Sequence, residues 1–272
     1  MKYCIPYAKH SIYKNEIDEI NIKYNHESAE ELASLMQNFP NAKINIILDS
    51  LSLEEQSADF INFVVLKTKK DCINFSLVLR PLTPNHQELI TKCKTYNIPF
   101  YSTFAANDWD TLRGLIDIGV SEVFITADLC FDLEAVSTFV HNNNAKIRVV
   151  PNICQSTWAD TPSLKTFFIR PEDVDIYESY IDVLELDYRL SSIDTIYKIY
   201  AKDKKWIGDL QDLIIHFKDS LDNRFIPPGF AYFRLNCRKK CQQNDKCKIC
   251  DGMIHLTETL KDKNIVINTS NK

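Results

Sequence analysis

The sequence predicts an α/β protein, a (β/α)8 barrel of the TIM type with a C-terminal cysteine-rich extension. Three observations lead there. Short runs rich in Ile, Val and Phe alternate with helix-period segments along most of the chain, about eight times over. The 272 residues suit one large domain. No GxGxxG or GxxxxGK[ST] stretch marks a nucleotide-binding open sheet, and only 5 glycines are present to build one.

The elements follow in order. Candidate strands are Lys2–Tyr7, Ile20–Tyr24, Lys43–Asp49, Ile73–Arg80, Pro99–Ala105, Glu122–Asp128, Lys146–Ile153, Thr166–Arg170 and Ile181–Asp187. Helical patterns separate them. One begins after Ser28, where Ser28 and Glu31 have capping-box spacing, and ends near Phe39. Others cover Leu53–Lys69, Thr83–Tyr96, Asp108–Ile118 and Leu133–Asn142. Pro171 suits the first turn of a helix reaching Tyr180. Ser192–Lys202 and Ile207–Leu221 close the barrel, so residues 1–223 form one domain. From Arg224 to 272 the texture changes: prolines, clustered cysteines and little periodicity predict a metal-binding extension packed on the barrel, ending in a helix near Met253–Lys261.

Composition narrows the function classes. A 45% hydrophobic content supports a packed core. The net charge of −5 leaves no overall electrostatic footprint for nucleic acid. No run approaches the roughly 20 apolar residues of a membrane span, so no membrane partner is expected. Met1–His10 lacks a charged-then-apolar leader pattern, which predicts a cytoplasmic protein. Nine cysteines in such a compartment are not expected to form a disulfide framework.

Four of those cysteines fall within fourteen residues: Cys237, Cys241, Cys247 and Cys250, a C-x3-C-x5-C-x2-C pattern. Thiolates bind thiophilic metals, and C-x2-C spacing brings two sulfurs to one site from a tight turn. The four alone would satisfy tetrahedral zinc. A [4Fe–4S] cluster also needs four thiolates and often draws one from elsewhere. Cys154, after strand KIRVVPNI and on the face where barrel active sites lie, is the candidate fifth sulfur. The preferred set is Cys154, Cys241, Cys247 and Cys250, with Cys237 as alternate. Cys4, Cys72, Cys93 and Cys130 are read as buried thiols of no special role.

Polar residues at strand C-termini are the default catalytic candidates of a barrel: Asp49, Arg80, Thr103, Asp128, Asn152, Arg170 and Glu185. Arg80 and Arg170 could hold a carboxylate or phosphate bidentately. No HExxH or GxSxG supports a hydrolase. The basic run Arg234–Lys248, preceded by Phe230, Tyr232 and Phe233, could stack on and neutralise RNA.

The stretch FFIRPEDVDIYESYIDVLELDYR, then WIGDLQDLI and a terminal cysteine cluster, resembles proteins related to the collagenase-like peptidase family U32. The resemblance runs from about Pro151 to Cys250 and rests on Asn152-Ile153-Cys154, Arg170–Asp173 and Arg189. It implies a [4Fe–4S] cluster and oxygen-independent, hydroxylation-type modification of an RNA, a peptide or a small metabolite, with proteolysis not expected. Arg80, Asp128, Arg170 and Arg189 are the catalytic candidates. The alternative is a non-catalytic binding or scaffold subunit of a hetero-oligomer, whose zinc or iron–sulfur site only staples the tail.

Overall fold

The computed structural model describes residues 1–7, 11–13, 15–23, 38–39, 41–49, 75–80, 87–95, 97–106, 108–126, 129–154, 164, 166–237 and 249–267. The chain is mixed α/β and resolves into two compact units. One comprises residues 1–125, 139–148 and 182–185; the other comprises 126–138, 149–181 and 186–272.

The first unit carries the eight strands, save the last residue of β7: β1 (Lys2–Pro6), β2 (Glu19–Lys23), β3 (Lys43–Asp49), β4 (Phe75–Arg80), β5 (Phe100–Ala106), β6 (Glu122–Ile125), β7 (Lys146–Val149) and β8 (Val183–Glu185). Every pairing is parallel, and the strands follow one another in chain order around a closed barrel. β1 lies between β2 and β8, with Cys4 opposite both Glu19 and Glu185. The seam between β7 and β8 is sewn by one residue. The Asp182 amide donates to the Ile147 carbonyl at 3.0 Å, and the Asp182 carboxylate accepts the Ile147 amide at 2.9 Å.

Among the described residues the strand–helix repeat is seen in part. Helices follow β4 (α1, Gln87–Thr95), β5 (α2, Trp109–Asp117) and β6 (α3, Leu133–Asn143). After β7 there is a 3₁₀ turn, Pro171–Asp173, and the single-turn α4, Val174–Tyr177; after β8, α5 (Ile193–Tyr197) runs into a π turn, Lys198–Asp203. Among the described residues no helix joins β1 to β2. The helices expected after Ser28 and across Leu53–Lys69 lie outside the described residues, save the former's last two positions.

Local chemistry explains the helix ends. The Asp108 carboxylate caps α2 by accepting from the Thr111 amide at 2.7 Å. Gly119, at φ 96°, ends it in a Schellman motif, with Gly119 N bonded to Ile116 O and Val120 N to Leu115 O. The same pair of bonds recurs after α1 around Asn97 (φ 53°) and after α7 (Ile249–Asp262) around Asn264 (φ 52°). Asparagine tolerates the left-handed region better than other non-glycine residues. This is how a chain with so few glycines terminates its helices.

Three expectations are corrected in the second unit. Residues 166–170 belong to none of the eight strands, and only Phe167 takes part in an isolated bridge. Their carbonyls are taken by side chains: Thr166 O and Phe168 O accept from Arg234, and Ile169 O from the Tyr200 hydroxyl at 2.9 Å. Residues 207–221 are not a helix. The Asp209 carboxylate accepts from Gln211 N, Leu221 N and Ser220 Oγ, and so gathers the segment into a loop around one 3₁₀ turn, Leu210–Asp212. Residues 230–237, read as aperiodic, form helix α6 (Phe230–Cys237) after Pro227-Pro228-Gly229.

Candidate functional site

The second unit links Cys154 to one buried cation, Arg234. Cys154 is 5% exposed. Its amide donates to Ile215 O, and the Ile215 amide donates to Asn152 O, both at 2.9 Å, so the residue sits in a short parallel bridge. The Thr166 hydroxyl donates to Cys154 Sγ at 2.9 Å. The carbonyl of that same threonine accepts from Arg234. One residue therefore ties Cys154 to Arg234.

Arg234 is wholly enclosed. Nη1 donates to Phe168 O at 3.1 Å and Nη2 to Thr166 O. Its guanidinium carbon lies 4.4 Å from the centre of the Phe168 ring, 5.2 Å from Phe131, 5.3 Å from Phe230 and 5.8 Å from Phe167. Aromatic faces attract a cation by about 0.5–2 kcal/mol each. No described carboxylate forms an ion pair with this residue, and Nε has no hydrogen-bond partner among the described residues. Burial pulls its pKa down, while Tyr177, Cys154, Cys250 and Asp173 push the other way. Cys154 and Cys250, far apart in sequence, thus share the field of a single guanidinium. Burial raises the Cys154 thiol to about 11, against the Thr166 hydrogen bond and Arg234, which lower it.

Cys237 lies one turn beyond Arg234 at the end of α6, half-buried, and Cys250 is the second residue of α7, also half-buried. Cys241 and Cys247 lie outside the described residues. No described cysteine forms a disulfide. Among the described residues no three His, Cys, Asp or Glu side chains gather closely enough to hold a metal ion.

Arg170 and Arg189, the two arginines of the matched motifs, differ. Arg170 is 1% exposed. It grips Asp173 with Nε at 2.6 Å and Nη2 at 2.9 Å, and its Nη1 donates to Asn223 Oδ1 at 3.2 Å. The intervening Glu172 accepts from the Trp206 amide at 2.8 Å and from Asn223 Nδ2 at 2.7 Å; burial raises its pKa against that amide and Arg170. The segment Arg170–Asp173 thereby knits to the Trp206 loop. Arg189 is half-exposed and pairs with Asp187 at 3.0 Å, while Asp187 exchanges backbone bonds with the Asn152 side chain at 2.6 and 3.0 Å.

Arg80 ends β4 in the first unit, opposite Asp49 of β3. Asp128 lies outside the described residues. Missing from the sequence reading was the first unit's polar interior. Arg148 on β7 is fully buried and pairs with Glu19 and, through Nε at 2.6 Å, with Glu122. Lys43 meets Glu122 at 2.6 Å, and Asn45 Nδ2 donates to Glu19 and to Asn21, both at 3.0 Å. The Arg148 guanidinium stacks 4.4 Å from the centre of Tyr101. The alternation was visible in EINIK, KINIILD and KIRV. Strands covered outside by apolar contacts turn their polar residues inward.

No family model matches the chain. Over 93 residues it is 30% identical to an uncharacterized protease of Methanocaldococcus jannaschii, a match covering 31% of this chain and 27% of that protein. The chain thus spans about a quarter of its relative's length. Among solved structures, a U32 peptidase aligns with a TM-score of 0.46 at 11% identity, covering 69% of this chain and 92% of that one. A designed, cube-shaped protein cage aligns at 0.43 and 10% identity, covering 97% and 85% respectively.

Proposed function

We propose that this chain is a U32-related iron–sulfur protein of the TIM-barrel type, whose 224–272 segment supplies a metal centre and which modifies its substrate by an oxygen-independent, hydroxylation-type reaction. The carrying observation is the tie of Cys154 through Thr166 to the buried Arg234, whose pKa Cys154 and Cys250 both push up. A buried cation without a carboxylate partner is costly unless negative charge is brought to it. Neutral thiols would not bring it; metal-bound thiolates would. The donor set therefore fits a thiolate centre. Cys154, Cys241, Cys247 and Cys250 would hold the cluster, with Cys237 as alternate, and the cluster would supply one-electron chemistry.

Arg189 and Arg80 are the cations proposed to receive an anionic substrate group, with Asp128 as a proton carrier. Arg170 would act by holding the segment that carries it. The substrate is an RNA, a peptide or a small metabolite, and the protein works in the cytoplasm. No helix among the described residues is long and apolar enough to cross a membrane.

The test is anaerobic purification followed by visible absorption and by iron, sulfide and zinc analysis. A band at about 400 nm with roughly four irons per chain supports the reading. Cys154→Ala and Cys250→Ala should each lose that iron, and Cys93→Ala should keep it. A colourless protein with about one zinc per chain would overturn the redox reading in favour of a zinc-stapled scaffold subunit.

A further inference from the structure

We infer that Arg234 is the counter-cation of the thiolate centre, a positioning residue that sets how much negative charge Cys154 and its fellow ligands can hold. The inference rests on the metal-centre reading above, and it assigns to that centre a residue outside the cysteine pattern.

Three observations carry it. Among the described residues no carboxylate forms an ion pair with the buried Arg234, although Arg170 has Asp173 for that purpose. Its Nη atoms are committed to two carbonyls, and the four phenylalanine rings leave Nε without a described acceptor. Thr166 then connects it to the sulfur: the threonine carbonyl accepts from Arg234 and the hydroxyl donates to Cys154 Sγ at 2.9 Å. Cys237 follows one helical turn later on the same helix.

A purely structural staple needs only donors for the carbonyls of Thr166 and Phe168, and a neutral amide can donate there. What a staple does not need is charge. A cluster held by four thiolates is anionic, and a fixed cation beside its ligands makes reduction easier and release of metal harder.

The experiment separates charge from stapling with two variants of the full chain. Arg234→Gln keeps an amide donor and removes the charge, whereas Arg234→Lys keeps the charge and removes the fork. Circular dichroism reports folding, and an anaerobic dithionite titration followed by visible absorption reports the midpoint potential. The expected result is a shift to more negative potential in Arg234→Gln, with Arg234→Lys close to the parent. A folded Arg234→Gln with the parent's potential would overturn the inference while leaving the cluster reading intact. Should the glutamine variant not fold, the lysine variant decides: a potential near the parent's supports the inference, and a marked negative shift overturns it. If the protein carries zinc, the redox reading falls. The inference is then tested by chelator competition, with Arg234→Gln expected to bind zinc about 10- to 100-fold more weakly and equal affinity overturning it. A parent chain that takes up neither metal overturns both.

Discussion

Ile147 and Asp182 exchange two hydrogen bonds, backbone to backbone and backbone to carboxylate, at the place where β7 meets β8. A three-residue strand such as β8 offers little ladder of its own, so a side chain does part of the pairing. Asp182→Ala would leave the fully buried Ile147 amide without that acceptor, at a cost of about 1–3 kcal/mol. Asp182→Asn keeps a carbonyl oxygen there and is expected to recover most of the loss. Urea unfolding of the two variants measures the difference. Equal stabilities would mean that the seam does not depend on this bond.

The barrel's charged interior makes a second prediction. Arg148→Met removes the cation that Glu19 and Glu122 share and leaves the two buried carboxylates facing Lys43 and, at 3.9 Å from Glu122, the exposed Lys146. Breaking a buried ion network in this way costs about 3–5 kcal/mol. A loss below 1 kcal/mol in urea unfolding would show that water reaches these groups.

Acid should undo the same network. Burial opposes the Glu122 carboxylate, but Arg148 and Lys43 overcome it and hold its pKa below the usual 4.5. A depressed folded-state value means stability that is fully present above 4.5 and lost as pH falls through the lower folded value. The urea midpoint should therefore drop on acidification below that value. In Glu122→Gln the drop should be shallower.

The arginines of the Arg170–Arg189 region should part company. Asp173→Ala strands a buried guanidinium and is expected to cost about 3–5 kcal/mol. Arg189→Ala touches a half-exposed, solvent-screened pair and should change stability by less than about 1 kcal/mol. Any activity lost in Arg189→Ala at unchanged melting temperature then belongs to substrate binding. A large drop in melting temperature would remove Arg189 as a binding candidate.

Strand positions were legible where Ile and Val recur at every second position, as in KINIILD or KIRV, because alternate residues of a strand face opposite sides of the sheet. Failures came where side chains replaced backbone partners. FFIR has the composition of a strand, yet Arg234, 66 and 68 residues away from its partners, claims the carbonyls a neighbouring strand would have used. The same arginine hid helix α6, since a charged residue in the buried stripe spoils the apolar period. Residues 207–221 carry helical spacing, but Asp209 closes them into a loop with bonds no pattern of apolar residues encodes. The cysteine spacing pointed to a thiolate site as an expectation. It could not announce the cation, because a buried arginine reads in sequence like any solvated one.

The pairing of Lys2 with Val183 has a consequence for synthesis. β1 is made well before its second neighbour, because the stretch from Pro6 to Val183 separates it from β8. At bacterial or eukaryotic elongation speeds that interval is roughly 10–40 s. Throughout it, the Lys2–Pro6 edge has a parallel vacancy that another nascent chain could fill. The ring is therefore a structure that must be completed late, and the yield of this protein in cells should respond to chaperone supply more than its final stability would suggest.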